Sequence, residues 1–190
     1  MTTKVAQKGS SKESPKFTFR AFDEVKFAAT RASWLEDATA NEAFVPDIEQ
    51  VMAWIEGHMV LTDHGMAYGV FREHDPAAVG VCELAITKPS VRGKWVKLIR
   101  LRLSPRIESA IFKNDPDGLA TALNAYVAAI LGVHEVKDQH QASRIKVYGR
   151  TQEQMRFLTM LLTKLNEKKY SSFIATIEGR WLTLNYGGKK

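Results

Sequence analysis

Between Met66 and Leu103 the chain carries three strand-like segments in direct succession: Met66 to Arg72, Val79 to Thr87 and Trp95 to Leu103. Only turn signals separate them, at Asp75-Pro76 and at Pro89 to Gly93. Connections this short hold no crossover helix, so the three segments are expected to run antiparallel as a meander. The third segment alternates, with Ile99, Leu101 and Leu103 on one parity and Arg100 and Arg102 on the other. That alternation predicts a sheet with one buried face.

Helical patterns stand on both sides of the meander. Phe17 to Ala21 reads as a short strand, and Asp23 as the N-cap of a helix with Val25, Ala28, Ala29, Ala32 and Leu35 on one face. Glu36 to Glu42 reads as a loop. Pro46 and Asp47 open a second helix with Ile48, Val51, Met52, Ile55 and Met59 along one stripe. Past the meander, Asp115-Pro116 supplies an N-cap and a proline at N1. Leu119, Ala122, Leu123, Tyr126, Val127, Ile130 and Leu131 then fit the i, i+3, i+4, i+7 pattern, and Gly132 is placed to end that helix. Ser143 to Gly149 reads as a strand, and Thr151 to Gln154 as a capping box. The helix behind the box carries Met155, Leu158, Leu162 and Leu165 on one stripe. Ser171 to Ile177 and Arg180 to Tyr186 read as a hairpin around Glu178-Gly179. Strand, helix, strand, helix, strand demands crossover connections and some parallel pairing. The predicted fold class is α/β, a mixed and mostly antiparallel central sheet flanked by helices.

The 190 residues suffice for one domain over 17–190, preceded by a disordered basic tail over 1–16 with four lysines and one glutamate. The opening residues lack the apolar run of a secretory signal, and no run of roughly 18 apolar residues is present to span a membrane. A single cysteine, Cys82, excludes a disulfide framework and a cysteine-rich zinc site. These features predict a cytoplasmic setting, or a particle assembled in one. The histidines show no metal-ligand spacing, so no metal is expected, and no phosphate-binding loop or nucleophile elbow occurs. The net charge of +6 and pI near 9.4 point to an anionic partner: nucleic acid, an acidic protein surface or a phosphorylated cofactor. Lys88, Arg92, Lys94, Lys97, Arg100, Arg102 and Arg106 follow one another with no acidic residue between, and Trp95 sits among them. Lys94, Trp95, Lys97, Arg100 and Arg102 are the candidate partner-binding residues, against the plainer reading of a solvated sheet face.

The element order resembles the GNAT acetyltransferase superfamily, from a first strand carrying Phe19-Arg20 to the closing hairpin. The runs Lys146-Val-Tyr-Gly149 and Gln154-Met-Arg-Phe-Leu158 look like those of small GNAT-like proteins of short-tailed phages, some of them internal virion components. The resemblance implies acetyl-CoA as cofactor, seated where the fourth strand splays from the fifth, with its pyrophosphate on backbone N–H groups at a helix N-terminus. Carried over, that places Leu103, Arg106, Lys113, Gly118, Leu119 and Ala120 at the cofactor. It implies Glu83 as the catalytic carboxylate, with Tyr148 or Tyr170 as the nearest stand-ins for the tyrosine that protonates the thiolate. The departures are substantial. The loop glycine pair is missing, about a dozen residues part strand from helix, and Asp115 and Asp117 sit where phosphates would dock. Phe157 and Leu158 occupy the turn where the tyrosine belongs. Two readings follow: a GNAT-like fold acting by binding, as a virion or host-interacting protein of a phage, or an acetyl-CoA-dependent N-acetyltransferase.

Overall fold

The computed structural model describes residues 16–40, 45–60, 66–87, 93–167 and 173–186. Residues 1–15, Lys88, Arg92 and Tyr170, named above, lie outside them. The elements run β1 (Phe17–Ala21), α1 (Glu24–Thr39), α2 (Val45–Gly57), β2 (Met66–Arg72), β3 (Ala78–Ile86), β4 (Trp95–Leu103), α3 (Pro105–Phe112), α4 (Pro116–Gln139), β5 (Arg144–Tyr148), α5 (Gln152–Glu167), β6 (Ile174–Glu178) and β7 (Trp181–Asn185). The strands form one sheet in the order β1-β2-β3-β4-β5-β7-β6. β2 to β4 are the antiparallel meander, β1 pairs antiparallel with β2, β4 and β5 run parallel, and β7 pairs antiparallel with both β5 and β6. This is the mixed, helix-flanked sheet that the sequence predicts.

The sheet is buried on two faces, not one. Cys82, Leu84, Val96, Leu98, Leu101, Leu103, Ile145 and Leu184 pack under α4 and α5. Ala67, Phe71, Ala78 and Val81 turn the other way, toward Trp34, Ile48, Val51 and Ile55 of α1 and α2. Burial of Cys82 pushes its thiol well above the usual range, which suits an inert core residue. The parity of β4 also changes partway. Its register against β3 shifts between Leu98 and Arg100, so Ile99 is a bulged residue without an opposite partner. Val96, Leu98, Leu101 and Leu103 therefore share a face, and Ile99, expected inside with Leu101, belongs to neither core cluster.

Three helix readings need correction. α1 runs on to Thr39, and its buried residues are Thr30, Trp34 and Ala38, whereas Val25 is exposed. Trp34 wins the inner face because its indole N–H reaches the Ala78 carbonyl at 2.6 Å while the Thr30 hydroxyl accepts the Ala78 N–H at 2.9 Å. α4 buries Gly118, Ala122, Ala125, Ala129, Gly132, Val133 and Val136, and turns Leu119, Leu123, Val127 and Leu131 outward. Small residues let the helix lie close to the sheet, and close packing outweighs the larger apolar stripe. Gly132 does not end the helix. A β-carbon there would stand 2.2 Å from the Phe19 ring, so glycine is what allows α4 to rest on β1. By length and composition α4 could cross a bilayer, with a window hydropathy of 1.4; in this fold it packs across β1 and β4. The capping box forms as expected, Gln154 N–H donating to Thr151 Oγ1 at 3.2 Å. The hairpin turn lies one residue later than predicted, at Gly179-Arg180, with Glu178 opposite Trp181.

Two substitutions test these placements. Gly132→Ala forces Phe19 from its place and is expected to destabilise by about 1–3 kcal/mol, the usual cost of overpacking. Thermal melting measures this, and a wild-type melting temperature would disprove the close approach. Leu101→Asp puts an unpaired charge into the core and is expected to cost several kcal/mol, read as a collapse of the urea midpoint.

Candidate ligand cleft and partner face

The parallel ladder of β4 and β5 is short, joining Trp95 to Leu98 with Arg144 to Val147 and then stopping. The bulge at Ile99 follows at once, and the rest of β4 has no strand on that side. Ser104 N–H turns inward to the Val79 carbonyl at 2.9 Å. By alternation, the N–H of Leu103 points outward to the open edge. α4 and α5 roof the gap and leave a cleft of about 320 Å³, lined by Leu101, Leu103, Glu108, Leu119, Tyr126 and Phe157 among others.

The polar groups facing this cleft are already engaged. The Tyr126 hydroxyl accepts a hydrogen bond from Gln154 Nε2 at 2.9 Å, and burial pushes its pKa up to about 12. Gln154 Oε1 in turn accepts the Arg150 N–H at 2.8 Å. Phe157 packs its ring 4.8 Å from that of Tyr126 and offers no hydroxyl. Glu108, in the first turn of α3, lies 3.0 Å from Arg102 Nε and faces the outward N–H of Leu103. Burial raises its pKa, and Arg102 pulls it partly back.

The helix directly after β4 is α3, not the one at Gly118. Ser104 is its N-cap and makes no side-chain cap bond. Pro105 has no N–H to offer, and the N–H of Glu108 goes to the Ser104 carbonyl at 3.0 Å. The Arg106 N–H faces the carboxylate of Asp37, from the last turn of α1. Burial raises the pKa of Asp37, while the Arg106 charge opposes that rise. One first-turn donor remains, on Ile107, a residue only 5% exposed. A carboxylate of the chain thus stands where an anionic ligand of α3 would stand.

The structure places the other candidate residues as follows. Gly118 is buried against Ala110, and its N–H is taken by Asp115 Oδ2 at 3.0 Å. Leu119 lines the cleft, Ala120 faces solvent, and Lys113 is exposed at the C-cap of α3. Glu83 lies 3.8 Å from Arg100 across the β3–β4 pair. Tyr148 is on the opposite sheet face from the cleft, its ring 4.8 Å from that of Trp181. Arg102 is held between Asp47 at 3.7 Å and Glu108, leaving its side chain 22% exposed. Trp95 and Lys97 share the face of Tyr148, and Lys94 binds the edge of β5 through its carbonyl, which accepts the Ser143 N–H at 3.0 Å. Among the described residues no group of three or more His, Cys, Asp or Glu converges as a metal site. The sequence reading passed over Asp37 and Glu108, and took Tyr126 only as part of an apolar stripe and Gln154 only as part of a capping box. Ser104-Pro105 was the available signal, since it has the same N-cap and proline pattern as Asp115-Pro116.

No family model matches the chain, and no curated protein matches it. Solved structures similar to it include a GNAT family acetyltransferase from Brucella melitensis in complex with acetyl-CoA, at 14% identity and TM-score 0.44, covering 93% of this chain and 92% of that one. AtaTR bound with acetyl-CoA matches at 16% identity and TM-score 0.45, covering 90% and 93%. AtaT complexed with acetyl-methionyl-tRNAfMet matches at 15% identity and TM-score 0.38, covering 90% and 94%. Likeness at this level fixes neither activity nor ligand.

The electrostatics of the cleft carry a pH signature. Asp37 and Glu108 both have raised pKa values when folded, so the folded chain holds their protons more tightly than the unfolded chain. Their contribution to stability is full below the ordinary carboxylate range and is lost as pH rises through the raised values, above 4.5 for Glu108. Glu108→Gln is expected to flatten that decline in a series of melts across the range. An unchanged slope would show that Glu108 is not the group responsible.

Proposed function

We propose that this chain is a GNAT-like fold that acts by binding and has given up acetyl-CoA chemistry. One observation carries the reading. The two backbone donors that a splayed fourth strand and its following helix would present to a cofactor, Leu103 N–H and Arg106 N–H, face the carboxylates of Glu108 and Asp37. A pyrophosphate would meet the Asp37 carboxylate, and a ligand amide pairing with the β4 edge would meet Glu108. Both repel or exclude what they would have to admit. The catalytic parts support the same conclusion. Phe157 stands in the cleft without a proton to give. The hydroxyl of Tyr126 is held by Gln154 and, with a pKa pushed to about 12, is a weak acid. The setting in this reading is that of the small phage proteins resembled by Lys146 to Gly149 and Gln154 to Leu158: a virion component or a host-directed protein.

The N-acetyltransferase reading keeps one observation in its favour, the cleft itself, which opens beside the β4 bulge and has room for a slender chain. Calorimetry separates the two. Acetyl-CoA titrated into the full chain is expected to give no saturable heat and no rise in melting temperature at millimolar concentration. Saturable binding that is lost on filling the cleft with Leu119→Trp would restore the enzyme reading and overturn ours.

A further inference from the structure

The face of the sheet turned away from the cleft is uneven in its cover. α1 and α2 pack on β2 and β3, and the core beneath them includes no residue of β4, β5, β6 or β7. Beyond that core, alternation brings together Trp95 and Lys97 of β4, Arg144, Lys146 and Tyr148 of β5, and Trp181 of β7 on the same face. The three cations gather on one indole ring. Lys146 Nζ lies 4.9 Å, Arg144 Cζ 5.3 Å and Lys97 Nζ 5.9 Å from the centre of Trp95. Lys97 is also 5.9 Å from the Trp181 ring, and Arg180 lies 5.8 Å from the Tyr148 ring.

This grouping is electrostatically unfinished. Lys97 and Lys146 are direct register partners, and like charges opposite one another destabilise a ladder. Lys146 reaches Glu178 at 2.9 Å. Among the described residues, no carboxylate lies within ion-pairing distance of Lys97 or Arg144, and Glu178 feels the Arg144 charge from farther off. The Trp95 indole N–H is buried and has no acceptor among them either. Adjacent unpaired cations call for an anion, and half-buried aromatic rings between them call for a flat partner. An acidic peptide supplies the first and makes no use of the second. A single nucleic-acid strand supplies both, through phosphates and base faces.

We propose that the β4–β5–β7 face binds single-stranded nucleic acid, with Lys97 and Arg144 on phosphates and Trp95, Trp181 and Tyr148 as the aromatic platform. The proposal rests on the reading of the chain as a binding protein. It is tested independently of it, because the acetyl-CoA titration probes the cleft on the opposite side. The experiment is fluorescence anisotropy of the full chain with labelled single-stranded DNA and RNA oligonucleotides at several salt concentrations. Binding is expected to weaken linearly in the logarithm of salt, and each lost contact is expected to lower the slope by about one. Lys97→Gln and Arg144→Gln should each weaken binding several-fold without lowering the melting temperature, whereas Lys97→Arg should retain it. Intrinsic tryptophan fluorescence should change on saturation. Absence of binding at low salt overturns the proposal. So does binding that is indifferent to both glutamine variants, or polyglutamate competing as well as the oligonucleotide does.

Discussion

The parting of β4 from β5 after Leu98 is the constraint on which the rest of this structure depends. Parallel strands are joined by a crossover, and here the crossover is the pair α3 and α4. The ladder they permit is short, because Ile99 bulges out of register and turns the strand. Everything of chemical interest is arranged around that event. One side of the sheet has a cleft roofed by α4 and α5. The edge itself exposes Leu103 N–H, and α3 begins there. On the other side, the paired part of the ladder aligns Lys97 with Lys146 and Trp95 with Arg144. A bulge of one residue thus sets both where a ligand could enter and which side chains face away from it.

Within that frame, the unusual feature is that the fold supplies its own anions. A sheet edge and a helix N-terminus are open requests for acceptors. Glu108 answers the first and Asp37 the second, each at the cost of partly burying a carboxylate, a cost that a neighbouring arginine offsets in part. The arginines are thereby drawn inward. Arg102 sits between Asp47 and Glu108 and serves to hold α2 and α3 against β4. The cations left on the far face of the parallel ladder are those of the neighbouring strand, β5, together with Lys97.

Much of the fold was legible from the sequence, because strand periodicity and turn residues are local signals. Trp95–Leu103 is a strand over the span the pattern marks, although the bulge changes its parity at Ile99, and the capping box at Thr151 forms with its own residues. What stayed hidden depended on partners distant in the chain. The face of α1 was misjudged because the decisive contact, Trp34 to the Ala78 carbonyl, joins residues 44 apart. The face of α4 was misjudged because apolar spacing alone favours leucines, whereas nearness to β1 and β4 favours alanine and glycine. The candidate cleft was legible in outline through the strand order. Its blocking groups were not, since no pattern around Asp37 or Glu108 announces a backbone donor on another element. The basic run was legible as charge only. Which of its members point inward was decided by the bulge.

The small-residue seam of α4 has a mechanical meaning as well. At about 1.5 Å per residue the helix is roughly 36 Å long, enough to cross every strand from β5 to β1. It touches both ends of that span, with Gly132 against Phe19 and Val133 and Val136 in the main core. The parallel ladder joining the two halves of the sheet is only four residue pairs long and would by itself be a weak seam. A rigid rod laid across that seam makes the halves share one opening event. Amides in β1 and in β5, far apart in the chain, are thus bound into a single cooperative unit of exchange and unfolding.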